Sequence, residues 1–218
     1  MRRSEEIWEE CPSRIRQWYN SSLGYGFTGS GYSREEGLRP RYATLSISLQ
    51  DRHLGSSSVL VHSDEEDDSK INILFYDYED WKVIKALEEK ITNGDLQVFC
   101  VDSVDLESFY NSFSHPGYRI YRHIQYEKYV LEEVLPLANK INTNPNVISA
   151  GCSLGAYHAV NVAMRHPNLF CKVVGMSGRY DLTKSKGYFK DLLSGFHNDF
   201  VYFNMPNQYL KNLEEFNF

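Results

Sequence analysis

Five residues in the second half of the chain have the types and spacing of a nucleophile site: Gly151, Cys152, Ser153, Leu154 and Gly155, a GxSxG pentapeptide. The motif follows the apolar run VISA at Val147 to Ala150 and opens an amphipathic stretch from Leu154 to Arg165, so strand gives way to helix at the serine itself. So sharp a turn strains the serine backbone and lifts its hydroxyl out of the sheet, with small residues on either side giving the chain room. Ser153 Oγ is then placed to attack an electrophilic carbon. The Leu154 amide, at the positive end of the helix dipole, points toward the oxyanion that would form. On the motif alone two other readings stay open, an idle serine in a glycine-rich turn and a turn that cradles a nucleotide phosphate. Cys152 is a neighbouring nucleophile, but adjacent side chains diverge at such a turn, so it is expected beneath the elbow.

A serine nucleophile needs a base, and the chain order Ser, then acid, then His limits the choice. His158 stands five residues into the elbow helix and turns away from Ser153, while His166 is about 18 Å along a helix rising about 1.5 Å per residue. His197 alone has the right order, with Asp181 or Asp191 as the intervening acid. A surface histidine on the polar loop GFHND is the competing reading of His197. His115, beside Pro116 and Gly117, suits a loop near a pocket rim, and His53, His62 and His123 have no supporting context.

The elements that must position these residues are read from hydrophobic period. Tyr42 to Leu49 alternates as a half-buried strand, Ser58 to His62 reads as a short strand, and Ile71 to Tyr76 as a buried one. Trp81 to Ile91 puts Trp81, Ile84, Leu87 and Ile91 on one helical face, ended by Asn93 and Gly94. Leu96 to Val101 is a strand, a long helix with Val130, Val134, Leu137 and Ile141 on its apolar face comes after it, and Cys171 to Met176 forms the strand after the elbow helix. Strands alternating with helices predict a mostly parallel sheet with helices on both faces. Residues 1–40, broken by glycine and serine, are expected to be a loop-rich extension to a domain over 41–218.

Composition sets the class. The 218 residues are 42% hydrophobic and 24% charged, which suits one globular domain. The net charge of −6 argues against a nucleic-acid partner. Glu5, Glu6, Glu9 and Glu10 interrupt any export signal and no window is apolar enough to cross a membrane, so a soluble cytoplasmic location is expected. Cys11, Cys100, Cys152 and Cys171 have no metal-ligand spacing and are expected as unpaired thiols, three of them in interior segments. The acidic run Asp64 to Asp68 reads as a solvated turn, since it lacks the spaced oxygens and glycine of a calcium loop.

The stretch from Phe75 to about Leu213 resembles the small cytoplasmic esterases of the α/β-hydrolase superfamily, the esterase D-like enzymes related to acetyl-xylan and feruloyl esterases. The resemblance lies in FYDYEDW (Phe75 to Trp81), QVFCVDSVDLESFYN (Gln97 to Asn111), AGCSLGAYHAVNVAMRHPNLF (Ala150 to Phe170) and GMSGRYDL (Gly175 to Leu182). It implies a three-layer α/β sandwich, Ser153 as nucleophile, the Leu154 amide as one oxyanion donor, a small carboxylic ester as substrate, and no metal or organic cofactor. The family's glycine- and serine-rich loop, source of the second oxyanion amide, corresponds to SKINIL at Ser69 to Leu74, with no glycine between Gly55 and Gly94. That loop is therefore expected to be absent or rebuilt. The segment FVYFNMPNQYLKNL at Phe200 to Leu213 resembles family sequence preceding the last strands, so the family's own acid and histidine, and the last part of the sheet, are expected to be missing from this chain. An uncovered sheet edge would favour self-association. Two alternatives to an esterase stay open, a noncatalytic binding module on the same fold and an acyltransferase using the same serine.

Overall fold

A computed structural model describes residues 43–49, 57–63, 70–76, 81–185 and 189–211. The expected loop-rich segment 1–40 and the acidic run at 64–68 lie outside the described residues. Six strands form one sheet: β1 (Ala43–Leu49), β2 (Ser57–Ser63), β3 (Ile71–Phe75), β4 (Leu96–Val101), β5 (Val147–Cys152) and β6 (Lys172–Met176). Their spatial order is β1-β2-β4-β3-β5-β6. The last four run parallel, and β1 and β2 are antiparallel additions beside β4.

Helices make the crossovers. α1 (Trp81–Thr92) joins β3 to β4, α2 (Pro116–Tyr129) and α3 (Leu135–Ile141) lead to β5, and α4 (Leu154–Arg165) leads to β6. Two short helices, α5 (Asp199–Tyr202) and α6 (Pro206–Tyr209), come after β6. The chain moves from β3 outward to β4, then returns past β3 to β5. Strand order reverses there, and in open parallel sheets the crevice at such a reversal is where ligands meet the carboxyl ends of the strands. Ser153 comes directly after β5.

The register sorts side chains onto two faces. Ile73, Val98 and Ile148 pair across the sheet, as do Phe75, Cys100 and Ala150, and these rows pack with Ile84 and Ile91 of α1. The opposite rows meet the elbow helix, where Ser149 Oγ donates to the Ala159 carbonyl at 2.9 Å. Helices thus cover both faces, in the three layers anticipated from the alternation of elements.

The long helix before β5 departs from its expected face. Between α2 and α3 the turn Val130–Val134 widens to a π-helix, and the Leu135 amide donates five residues back to the Val130 carbonyl. Pro136 explains the widening, because it has no amide and its ring would strike a carbonyl four residues earlier. The extra residue rotates the remaining turns of the helix, so Val134, Leu135 and Ala138 are buried while Leu137 and Ile141 are only half-buried. The cysteines also differ in part from expectation. Cys100, Cys152 and Cys171 are in no disulfide, but Cys171, just before β6 at the sheet's end, is exposed instead of interior; Cys11 lies outside the described residues.

A buried asparagine pair closes the amino end of the sheet. Asn142 Nδ2 donates to the Lys70 carbonyl at 2.5 Å and to Asn72 Oδ1 at 3.1 Å, and Asn72 Nδ2 returns a bond to the Asn142 carbonyl at 3.3 Å. Truncating Asn142 to Ala leaves the Lys70 and Asn72 oxygens without that donor in a water-poor site, so Asn142→Ala should lose about 1–3 kcal/mol in urea unfolding. A loss below about 0.5 kcal/mol would mean the pair is solvated and does not brace the strand.

Candidate active site

Ser153 sits between the last residue of β5 and the first of α4 with φ 55° and ψ −116°. This is backbone space that L-residues seldom occupy, at a cost of order 1–3 kcal/mol unless neighbours hold it there. Two contacts hold it. The Ser153 amide donates to the Met176 carbonyl at the carboxyl end of β6, at 2.9 Å. The first turn of α4 crosses so close to β5 that a Cβ on Gly151 would lie 2.3 Å from the Gly155 carbonyl oxygen, a backbone atom that cannot yield. The first glycine of the motif is therefore required by the approach of helix to strand.

The Ser153 side chain is exposed and makes no hydrogen bond among the described residues, while Leu154 is buried with its amide at the helix start. Such an amide has no intrahelical acceptor and is free to face a developing negative charge. Cys152 lies on the other side, packed with Ile148 and Ala150 on the α1 face.

The residues in the right chain order for acid and base are engaged elsewhere. His197, exposed on its loop, pairs through Nε2 with Gln208 Oε1 at 3.0 Å. Asp181 Oδ1 accepts from the Thr183 and Lys184 amides and the Thr183 hydroxyl, and Oδ2 accepts from Asn207 Nδ2 at 2.9 Å. Burial raises the Asp181 pKa, but these donors outweigh it and hold the carboxyl below its usual range. Both candidates are thus anchored on adjacent residues of α6, and neither bonds to the other or to Ser153. Asp191 accepts from the Leu193 and Gly195 amides, and His115 caps α2 by accepting from the Gly117 amide. The loop carrying Asp181 is gathered by Arg179, whose guanidinium donates to the carbonyls of Asp181, Leu182, Lys184 and Lys190.

A group of polar residues that sequence reasoning did not connect lies behind the elbow. His158 donates from Nε2 to Asp105 at 3.0 Å, joining α4 to the loop after β4. Glu127 of α2 receives His166 at 2.8 Å and Arg165 at 3.0 Å from the far end of α4. Between these pairs His123 Nε2 meets the Tyr157 hydroxyl at 3.1 Å, and Tyr157 donates to the Asn204 carbonyl at 2.8 Å. Burial, with the His158 charge next, holds the His123 pKa down to about 3. Burial opposes ionisation of Asp105 and Glu127 as well, but their histidine and arginine partners overcome it and keep both below the usual carboxylate range. The partners stand 34 to 53 positions apart, so no spacing rule could have found them.

A family model described as putative esterase matches residues 78–206, more than half of the chain. Solved structures of similar fold include the fluorophosphonate-binding serine hydrolase FphF of Staphylococcus aureus, at TM-score 0.56 and 16% identity, covering 80% of this chain and 74% of that one. The S-formylglutathione hydrolase FrmB of Staphylococcus aureus gives 0.54 and 15%, with 78% and 75% covered. The enterobactin esterase of Shigella flexneri gives 0.52 and 18%, with 70% of this chain covered but only 43% of that longer one. No curated protein sequence matches the chain.

The buried network has a pH consequence. His123 is neutral in the fold, with its pKa depressed from 6.5 to about 3, so its contribution to stability is complete above about 6.5 and is lost as pH falls toward 3. Asp105 and Glu127, also depressed, add to the loss at the acid end of that window. Thermal unfolding should therefore show a midpoint falling from about pH 6.5 downward with uptake of about one proton, and His123→Gln should remove that uptake. Parallel pH profiles for the two proteins would rule out His123 as the titrating group.

Proposed function

The chain belongs to the putative esterase family and folds as an α/β-hydrolase, and on that footing we propose that it hydrolyses small carboxylic esters with Ser153 as nucleophile and the Leu154 amide as one oxyanion donor. The observation that carries the reading is the strained, exposed Ser153 turn at the carboxyl edge of a parallel sheet. In this reaction Oγ adds to the ester carbonyl, a base takes its proton, the alcohol leaves, and water releases the acyl group from the serine. His197 with Asp181 is the pair in the right chain order, and using it requires His197 to leave Gln208. The protein acts without metal or organic cofactor, as a cytoplasmic enzyme. No helix among the described residues is long and apolar enough to cross a membrane.

One observation favours a second reading, a binding module without turnover: no described side chain hydrogen-bonds to Ser153 Oγ. Without a base the hydroxyl keeps its ordinary, unreactive pKa, and triad loss in serine hydrolases costs several orders of magnitude while a residual rate survives. Self-association belongs to the same proposal, with a second copy pairing along β6. That strand ends the described sheet, and Val174 and Met176 are 46% and 37% exposed there.

Hydrolysis of p-nitrophenyl acetate should be slow, should fall at least about 100-fold in Ser153→Ala, and should change little in His197→Ala. Activity unchanged in Ser153→Ala would replace the enzyme with the binding module, whereas a large loss in His197→Ala would make His197 the base. Sedimentation should show a concentration-dependent dimer that weakens in Val174→Lys, and a monomer at all concentrations would remove the β6 pairing.

A further inference from the structure

Among the described residues, three other than glycine have positive φ: Ser153 at 55°, Ser177 at 53° and Ser194 at 53°. Left-handed backbone is uncommon for a residue with a Cβ, so each instance calls for a cause. Ser153 is driven there by the elbow. Ser194 belongs to a turn closed by local bonds, from the Leu193 and Gly195 amides to Asp191 and from the Phe196 amide to the Leu193 carbonyl. Ser177 has no such turn, and neither its backbone nor its hydroxyl hydrogen-bonds among the described residues.

Its place in the sheet sets it apart. β5 and β6 run parallel with Gly151 opposite Gly175 and Cys152 opposite Met176, so Ser153 and Ser177 are the first residues to leave two adjacent strands. Such strands lie about 4.8 Å apart. The Met176 carbonyl, in the peptide group that leads into Ser177, is the acceptor of the Ser153 amide at 2.9 Å. Both serines are exposed. A glycine would take positive φ without strain, so what the serine adds to this backbone is an unpartnered hydroxyl on the β6 flank of the nucleophile. Strain retained at such a spot points to a use for the side chain.

We propose that Ser177 determines substrate specificity, its hydroxyl donating a hydrogen bond to an oxygen that the substrate carries within a few bonds of the ester group. The proposal rests on the reading of Ser153 as an ester-cleaving nucleophile. The carbonyl oxygen itself goes to the Leu154 amide, so Ser177, one strand spacing away, meets the substrate beside the scissile group. The favoured class is therefore esters of alkoxy or hydroxy acids, or of alcohols with a second oxygen, over their plain alkyl counterparts. A site that hydrogen-bonds its substrate discriminates against the analogue lacking that oxygen, because the donor then has no partner in the complex.

Two isosteric pairs of esters test this on the full chain. On the acyl side, p-nitrophenyl methoxyacetate differs from p-nitrophenyl butyrate by an oxygen in place of a methylene; on the alcohol side, methoxyethyl acetate differs likewise from butyl acetate. In at least one pair, Ser177→Ala should lower kcat/KM for the oxygen-bearing ester about 3- to 10-fold more than for its isostere, the size of one hydrogen bond between neutral groups. Ser177→Gly should do the same, and it keeps the fold even where Ser177→Ala does not, because glycine accepts the left-handed backbone. Equal changes within both pairs, or selectivity lost in Ser177→Ala but kept in Ser177→Gly, would overturn the proposal. Kd values for the same esters, read by ligand NMR on Ser153→Ala protein with and without Ser177→Ala, separate the two readings. Discrimination that depends on Ser177 in a chain without turnover leaves this site standing and removes the esterase. Turnover that depends on Ser153 but shows no Ser177 effect does the reverse.

Discussion

The approach of the elbow helix to β5 is the constraint on which the rest of this structure depends. With a carbonyl oxygen 2.3 Å from where a Cβ would stand on Gly151, helix and strand meet at a distance only glycine permits. That closeness compresses the strand-to-helix connection into one residue and drives Ser153 to positive φ. The strain is held at both ends, by the helix that begins at Leu154 and by the amide bond of Ser153 to the Met176 carbonyl. The nucleophile therefore relies on β6 as much as on β5, and its geometry is a property of two strands and a helix together.

The elbow helix hides several polar groups among its apolar ones. Between Leu154, Ala156, Ala159, Val162 and Ala163 its buried surface carries Tyr157, His158 and Asn161, and at its end the half-buried Arg165 and His166 meet α2. Buried ionic and hydrogen-bonded groups add little net stability over an apolar core of the same shape, yet they are unforgiving of displacement, since a lost partner leaves an uncompensated charge or orphan. They fix the rotation and height of α4 more sharply than aliphatic packing would. The exposed face of the nucleophile and the buried face of its helix are in this way mechanically linked.

The segment after β6 shows a different strategy. Gly175 and Gly178 let Tyr180 lie against the strand end, where a Cβ on either would meet its ring or hydroxyl at 2.3–2.4 Å. Arg179 then collects four carbonyls, and Asp181 accepts two amides and a hydroxyl. These are local, charge-assisted bonds that organise a loop without regular structure. They also explain why Asp181, in the right chain order for an acid, is occupied by its own loop.

Periodicity alone made the sheet legible: β3, β4, β5 and the elbow helix lie within a residue or two of the spans read from alternation and from the three-and-four spacing, because burial on known faces dictates those patterns. GxSxG likewise announced the elbow, since its glycine and serine are local requirements of one sharp turn. The face of the helix before β5 was misplaced beyond Val134, because a π turn imposed by Pro136 adds one residue that a fixed period cannot anticipate. What only the tertiary structure decided is which distant groups meet: His158 with Asp105, His123 with Tyr157, Glu127 with Arg165 and His166, and His197 with Gln208 in place of an acid. Hydrogen bonds of that kind depend on side chains brought within about 3 Å by the packing of separate elements, and nothing in the linear order of residues encodes that distance.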